Sequence, residues 1–319
     1  MNTPHDPVML EEILAYLHPA LSTPEAIAVD ATLGAGGHAE AMLTAHPELT
    51  VIGLDRDPNA LSIARERLAA FGDRFIPVQS VYDQIDAVVR ELGHTSVHAV
   101  LFDLGISSMQ IDERERGFAY SAHAPLDMRM NPGDYLTAER ILATYDHAHL
   151  TRILREYGEE KFAPRIASAI VNTRDTQPIV TSQMLVELIR EAIPAAARRK
   201  GGNPAKRTFQ ALRIEVNGEL DTWTRALPVA LDLLRPGGRI AVLSYHSLED
   251  RITKRALAER AKSTTPPGLP VELPGTGPQL KPWSNRAKQP GSAERARNPR
   301  SAPARLRGAE KLDNSSPGG

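Results

Sequence analysis

Apolar residues in the first hundred positions fall into short continuous runs, separated by stretches in which they recur every three or four residues. AIAVDATL (26–33), TVIGLDRD (50–57), RFIPVQSVY (74–82) and VHAVLFDLG (97–105) are the continuous runs. Their lack of alternation is the pattern of strands buried on both faces. DPNALSIARERLAAFG, between the second and third, has helical spacing and carries Gly72 where a helix would stop. Strand, helix, strand in repetition predicts a parallel α/β sheet.

After Leu104 this rhythm breaks. A stretch with little periodicity runs from Ile106 to Asp134, followed by three helical patterns, TAERILATYDHAHLTRILREYG, EKFAPRIASAIVNTRD and TSQMLVELIREAIP. Thr137 and Thr181 are suited to N-caps, and Pro194 ends the third helix. Strand character returns only at GGRIAVLSYHS, after the helical run LPVALDLLRPGG. Leu104 and Arg239 are 135 positions apart, whereas one crossover between neighbouring parallel strands needs a few tens of residues at most. The pattern therefore predicts an α/β domain made of 1–108 and 200–262 and interrupted by an all-helical insertion at 109–199. The remaining 263–319, dense in Pro, Gly and Arg, reads as an extended, partly disordered tail.

With 319 residues and 41% apolar content the chain can form a core of ordinary size. It has no cysteine, which excludes disulfides and thiolate metal sites and fits a reducing compartment. The N-terminal stretch carries acids, and no run of 18 apolar residues occurs, so a soluble cytoplasmic protein with no membrane association is expected. The net charge of −1 conceals an uneven distribution. Lys281 to Lys311 holds nine Lys or Arg against Glu294 and Glu310, and Arg190 to Arg213 holds seven against Glu191. Two basic segments on an acidic body predict a polyanionic partner; a merely solvated Arg-rich tail is the alternative.

The stretch VDATLGAGGHAE (29–40) holds the candidate chemistry. Gly34 to Ala39 fits G-x-G-x-x-A, and Asp55 follows about twenty residues later at the end of the next strand, the spacing of a dinucleotide fingerprint. Asp30 ends the first strand ahead of the loop, where a pyrophosphate would be unwelcome and a cationic ligand would not. Asp103 closes the fourth strand. A ligand with an adenosine at one end and an ammonium and a sulfonium at the other uses all of these groups, and S-adenosylmethionine is that ligand.

HDPVMLEEIL, VDATLGAGGHAE, GLDRDPNAL, DLGISSMQID, RGFAYSAHAPLDMRM, YGEEKFAPRIASAIV, KRTFQALRIEVNGEL, LLRPGGRIAVLSYHSLEDR and NPRSAPARLR together resemble the bacterial family that methylates the cytosine N4 of 16S ribosomal RNA in the decoding region, known as RsmH or MraW. The resemblance reaches nearly to Leu312, the Pro-rich stretch around 264–282 excepted. It implies a Rossmann-like, S-adenosylmethionine-dependent methyltransferase sheet with an inserted helical domain, and 16S ribosomal RNA or the small ribosomal subunit as partner; a homodimer is compatible with it. Carried over residue by residue, the family's cofactor contacts fall on Gly36, Gly37, His38, Asp55, Tyr82, Asp103 and Gln110. Tyr82 stands where the family more often has Phe, which keeps the aromatic plane, and Met109 stands where Pro is common, leaving Gln110 in register.

An exocyclic amine is a weak nucleophile because its lone pair is delocalised into the ring. Asp103, as an acceptor beside it, would favour a pyramidal nitrogen and offset the charge that grows on methyl transfer, which makes Asp103 the candidate catalytic residue; no metal is required. Structural roles compete at several positions: His38 as a packing or capping residue, Tyr82 as a core aromatic, and His246 as a residue orienting the helix start at Ser247. Competing functions are a nicotinamide oxidoreductase, a non-catalytic RNA-binding assembly factor, and an amine methyltransferase acting on another substrate. For RNA, the sequence predicts a cleft between insertion and core, with Lys206 and Arg207 on phosphates, Arg114, Arg116, Phe118 and Tyr120 opposite, and the basic tail adding affinity.

Overall fold

The computed structural model describes residues 7–120, 123–195, 203–266, 273 and 275–313. The chain divides into two compact units, Met1–Gly105 with Asp221–Gly319, and Ile106–Leu220.

The first unit is built on one sheet of β1 (Ile27–Asp30), β2 (Thr50–Asp55), β3 (Phe75–Gln79), β4 (Val97–Asp103), β5 (Leu234–Ser244), β6 (Leu280–Pro282) and β7 (Arg305–Lys311). The spatial order is β3-β2-β1-β4-β5-β7-β6. β1 to β5 pair in parallel, and β7 runs antiparallel to both β5 and β6. Successive residues of β4 serve opposite faces. Ala99 and Leu101 join Ile13 and Leu17 of α1 (Leu10–Leu21), Met42 of α2 (Gly37–Ala45) and Leu61 of α3 (Pro58–Arg67). Val100 and Phe102 join Val88 of α4 (Ile85–Glu91) and, from later in the chain, Trp223 and Leu227 of Glu219–Leu233 and Leu257 of Ser247–Arg260. Burial on both faces is the reason these strands lack polar alternation. Gly72 does not end α3 directly: the helix stops at Arg67, and Gly72 takes φ 56° in the 3-10 segment Ala69–Arg74 that follows.

The second unit is helical. α5 (Ser108–Asp112), α6 (Ala138–Thr144), α7 (His147–Glu156), α8 (Ala163–Arg174), α9 (Ser182–Ala192) and α10 (Ala205–Asn217) supply it, and residues of α6 to α10 enclose a core that includes Ile141, Ile153, Ile166, Ile189 and Leu212. The first expected helix is two, because Asp146 accepts from the His149 N–H at 2.8 Å and starts a new helix. Thr137 and Thr181 cap as expected, accepting from the backbone N–H of Arg140 and Met184. The aperiodic stretch before α6 is tied to α10 by Asn217, which accepts from the Met130 N–H at 2.7 Å and donates to the Met128 carbonyl at 2.8 Å. The insertion therefore extends beyond the expected 199. α10 buries Phe209, Leu212 and Val216 in the helical core and returns the chain to the sheet only after Leu220.

Over the described residues from 263 to 313 the expectation of an extended or disordered tail is overturned; residues 267–272, 274 and 314–319 lie outside the described residues. Beyond α11 (Glu219–Leu233) and α12 (Ser247–Arg260), the chain contributes β6, α13 (Ser292–Arg297) and β7. The basic composition concealed a strand: Leu306 and Ala309 are buried, while Arg305 and Arg307 reach Asp250 of α12 at 3.0 and 2.7 Å. Gly308 is required, because a Cβ there would come 2.5 Å from the Tyr16 ring. Tyr16 stacks on Trp283 with centroids 4.1 Å apart, and the pair lies between Arg239 on one ring and Lys288 on the other. Three cations of the basic segment, Lys288, Arg305 and Arg307, thus serve the fold.

Leu306→Ala tests this placement. The substitution empties a buried strand position and should cost about 2–5 kcal/mol, read as a lowered urea midpoint; an unchanged midpoint would remove β7 from the core.

Candidate active site

The sheet order reverses at β1, which pairs with β2 on one side and β4 on the other. At such a switch point the connections leave in opposite directions and open a crevice at the carboxyl ends of the strands, the usual ligand position in open α/β sheets. Asp30 ends β1, Asp55 ends β2, Asp103 ends β4, and Tyr245 follows β5.

The glycine loop joins β1 to α2. The Gly36 N–H donates to the Leu33 carbonyl at 2.8 Å, and the Leu33 N–H donates to the Leu54 carbonyl at 2.9 Å. Gly36 takes φ 79°, where a side chain is strained, and a Cβ would come 2.9 Å from Leu68. At Gly37 a Cβ would come 2.6 Å from the Pro7 ring, so the N-terminal segment covers this point of the loop. At Gly34 it would meet nothing within 4 Å, leaving open space beside bare backbone.

Asp30 is buried and Asp55 and Asp103 are half-buried, and among the described residues no Lys or Arg forms an ion pair with Asp30 or Asp103. Asp30 is 1% exposed and accepts from the Thr32 N–H at 3.3 Å. Burial pushes its carboxyl up to about 7; Thr32 pulls back, and Asp103 and Asp55 push further. Asp55 is also raised by burial, with the Asp57 and Gly34 N–H groups, each 2.8 Å away on a different oxygen, holding it down. Asp103 is raised by burial as well, eased by His38 and Tyr245 and pushed up by Glu249. Its backbone N–H donates to Thr32 Oγ1 at 2.6 Å, its Oδ1 accepts from Tyr245 Oη at 2.7 Å, and its Oδ2 lies 3.8 Å from His38 Nδ1. Opposed buried carboxylates of this kind favour a cationic ligand that replaces the lost hydration.

The half-buried Tyr82 ring stands edge-on to Phe102 and Trp223, at centroid distances of 5.7 and 6.2 Å. The turn that carries it is held by Asp83, which pairs with Arg225 at 2.8 Å. Gly36, Gly37, His38, Asp55 and Asp103 come together with Asp30 at one end of the sheet. Gln110 belongs to the second unit, where it forms a capping box with Ser107: its amide oxygen accepts from the Ser107 N–H at 3.1 Å.

His246 orients the helix start, as expected: it is itself the cap of α12, and buried Glu249 closes the box by accepting from the Tyr245 and His246 N–H groups. The expected RNA-facing residues change. Phe118, expected to stack on RNA, is 8% exposed in the helical core, Arg116 donates to the Met130 carbonyl, and Tyr120 packs edge-on to Phe209. Lys206 and Arg207 are exposed in the first turn of α10; Arg198, Arg199 and Lys200 lie outside the described residues. Sequence reasoning missed Tyr245, although a hydroxyl-bearing ring directly after the last parallel strand was a signal, and it missed the Val8 carbonyl, 3.1 Å from His38 Nε2, which no side-chain pattern announces.

Residues 2–312 match the MraW methylase family. Ribosomal RNA small subunit methyltransferase H of Saccharopolyspora erythraea is 59% identical over 308 residues, 97% of this chain and 93% of the relative. The protein of the same name from Thermobifida fusca is 59% identical over 307 residues, 96% of this chain and 93% of the relative. That from Streptomyces avermitilis is 56% identical over 308 residues, 97% of each. Matching nearly end to end in both family and relatives, the chain belongs to the MraW methylase family.

Proposed function

We propose that the protein transfers a methyl group from S-adenosylmethionine to the N4 exocyclic amine of a cytidine in 16S ribosomal RNA. The observation that carries this reading is the set of acids, buried Asp30 with half-buried Asp55 and Asp103, around a glycine loop at the switch point. A pyrophosphate would add negative charge beside Asp30, whereas an ammonium and a sulfonium offset it. The names of the relatives support the substrate class.

In this reading the backbone of Gly36, Gly37 and His38 at the start of α2 holds the amino-acid end of the cofactor and the Tyr82 ring supports the adenine. Asp55 binds the ribose: each of its oxygens takes one backbone N–H and keeps a lone pair for a hydroxyl. Gln110 is the remaining contact that the resemblance assigns. When bound, the cofactor supplies a methyl group activated by a positively charged sulfur. Asp103 accepts a hydrogen bond from the amine, draws its lone pair out of conjugation and offsets the charge that develops there. Lys206 and Arg207, exposed at the start of α10, bind RNA phosphates. The tail adds less to RNA affinity than its composition suggests, since Lys288, Arg305, Arg307 and Lys311 are engaged within the fold.

Deleting the gene should remove one methyl from one cytidine of 16S ribosomal RNA, read by mass spectrometry, and purified protein with S-adenosylmethionine should restore it on small-subunit RNA or subunits. An unchanged methylation pattern would reject the function. Calorimetry should show cofactor affinity rising by roughly tenfold between pH 6 and pH 8, as Asp30 ionises through about 7 to meet the cation. NAD should not bind, and a pH-independent affinity would release Asp30 from this role. Replacing Lys206 and Arg207 by Ala should weaken RNA binding most at low salt and reduce the log–log salt slope by roughly 2, with cofactor affinity unaltered; an unchanged slope would assign these charges to solvent.

A further inference from the structure

An amine that gains a methyl group must also lose a proton, because otherwise the nitrogen keeps the positive charge that sulfur gives up. Granting the methyl transfer proposed above, the groups around Asp103 decide where that proton goes. His38 Nε2 lies 3.1 Å from the Val8 carbonyl oxygen. A carbonyl can only accept, so Nε2 carries the hydrogen. In the neutral ring Nδ1 is then a lone pair, 3.8 Å from Asp103 Oδ2. That lone pair is the ring's open proton-accepting position, and the carboxylate beside it would stabilise the cation formed there. The other carboxylate oxygen, Oδ1, already accepts from Tyr245 Oη at 2.7 Å, which leaves Oδ2, on the His38 side, as the less engaged oxygen for a proton.

The atoms that set this arrangement are held firmly. Val8 lies between Pro7, whose ring sits over Gly37, and buried Met9, whose N–H donates to Glu294 Oε1 of α13 at 2.8 Å. The carbonyl that fixes the imidazole tautomer is thus anchored on both sides, once by the glycine loop and once by the C-terminal segment. The charged surroundings are few. Asp103 meets His38 and Tyr245 directly, with Glu249 of α12 and Asp30 of β1 as further acids that act on it or feel it. Arg67 of α3, near Gly37, is paired with Glu40 at 2.7 Å. Tyr245 is raised well above the usual phenol range by burial and by Asp103, so it stays a donor. The His38 side chain is 8% exposed and that of Asp103 25%, so of the two the carboxylate is the more open to an incoming amine.

We propose that Asp103 and His38 work as one proton-accepting pair, with His38 as the final acceptor and Tyr245 as the residue that positions Asp103. As the new N–C bond forms, the C–S bond breaks with its electron pair left on sulfur, and the amine proton moves to Asp103 Oδ2. It passes on to His38 Nδ1, which leaves an imidazolium beside a restored carboxylate. The imidazolium returns the proton to water after the products leave.

Two measurements on the full chain test this. Long-range ¹H–¹⁵N NMR of the cofactor-free protein should show the His38 ring with its hydrogen on Nε2, and Asp103→Asn should move the Nδ1 chemical shift. A hydrogen on Nδ1 with none on Nε2, or an Nδ1 resonance indifferent to Asp103→Asn, would overturn the pair without reference to activity. In single turnovers at saturating cofactor, the wild-type rate should rise with pH to a plateau. His38→Gln, which keeps an N–H for Val8 and cannot take up a proton, should lose that step and slow by roughly 10²-fold. Tyr245→Phe should keep the step and move it to higher pH, since Asp103 loses a donor that favours its ionised form. A uniformly slower His38→Gln with the wild-type pH step would overturn this role alone, whereas a wild type that transfers no methyl group would overturn the function and this role together.

Discussion

Carboxylates gathered at one end of a parallel sheet repel one another, and burial strips them of part of the water that would stabilise their charge. Asp30, Asp55 and Asp103 are in this position because the strands that carry them are neighbours in the sheet and all end on the same edge. The protein meets part of the cost with hydrogen bonds. Gly34 and Asp57 donate backbone N–H groups to Asp55, Thr32 to Asp30, and Tyr245 its hydroxyl to Asp103. These bonds also fix the geometry of the loop: the donor to Asp55 is the first glycine of the glycine-rich run, so the acid of β2 helps to shape the turn after β1. What remains uncompensated is a demand for positive charge, and that demand selects the ligand.

The same end of the sheet depends on parts of the chain that are remote in sequence. The segment before α1 passes over the glycine loop and brings the Val8 carbonyl to His38. Glu294, near the other end of the chain, holds that segment through the Met9 N–H. β7, from the same region, covers the side of β5 that would otherwise be an open edge with unpaired backbone groups. Its arginines neutralise Asp250 in the first turn of α12, the helix that begins beside Tyr245. A segment whose composition suggests a solvated polycation is therefore part of the architecture that supports the acids.

Hydrophobic patterning alone determined much of this protein. The four early strands, the crossover helices between them, the long helical interruption and the return to a fifth strand were all legible, because burial on both faces of a sheet leaves a continuous apolar run and burial on one face of a helix leaves a period near 3.6. The acids at strand ends were legible too, since a charge at the close of such a run has few structural uses. The family motifs singled out His38, Tyr82 and Gln110, which patterning by itself would have left among ordinary packing residues.

Only the tertiary structure decided what depends on long-range pairing. The strand character of β7 was hidden because its outward residues are arginines bound to an acid 55 positions or more away in sequence. The end of the helical unit was hidden because α10 is amphipathic and would suit either core; its packing against α6, α7 and α9 assigns it. Phe118 looked available because aromatic residues in an aperiodic stretch read as exposed, yet that stretch folds back on α10 through Asn217. Tyr245 and the Val8 carbonyl lie 142 and 95 positions from Asp103 in the chain. A local pattern records the periodicity of burial, whereas a hydrogen bond between distant segments leaves no periodic trace, so the partners of Asp103 emerged only when the sheet brought them together.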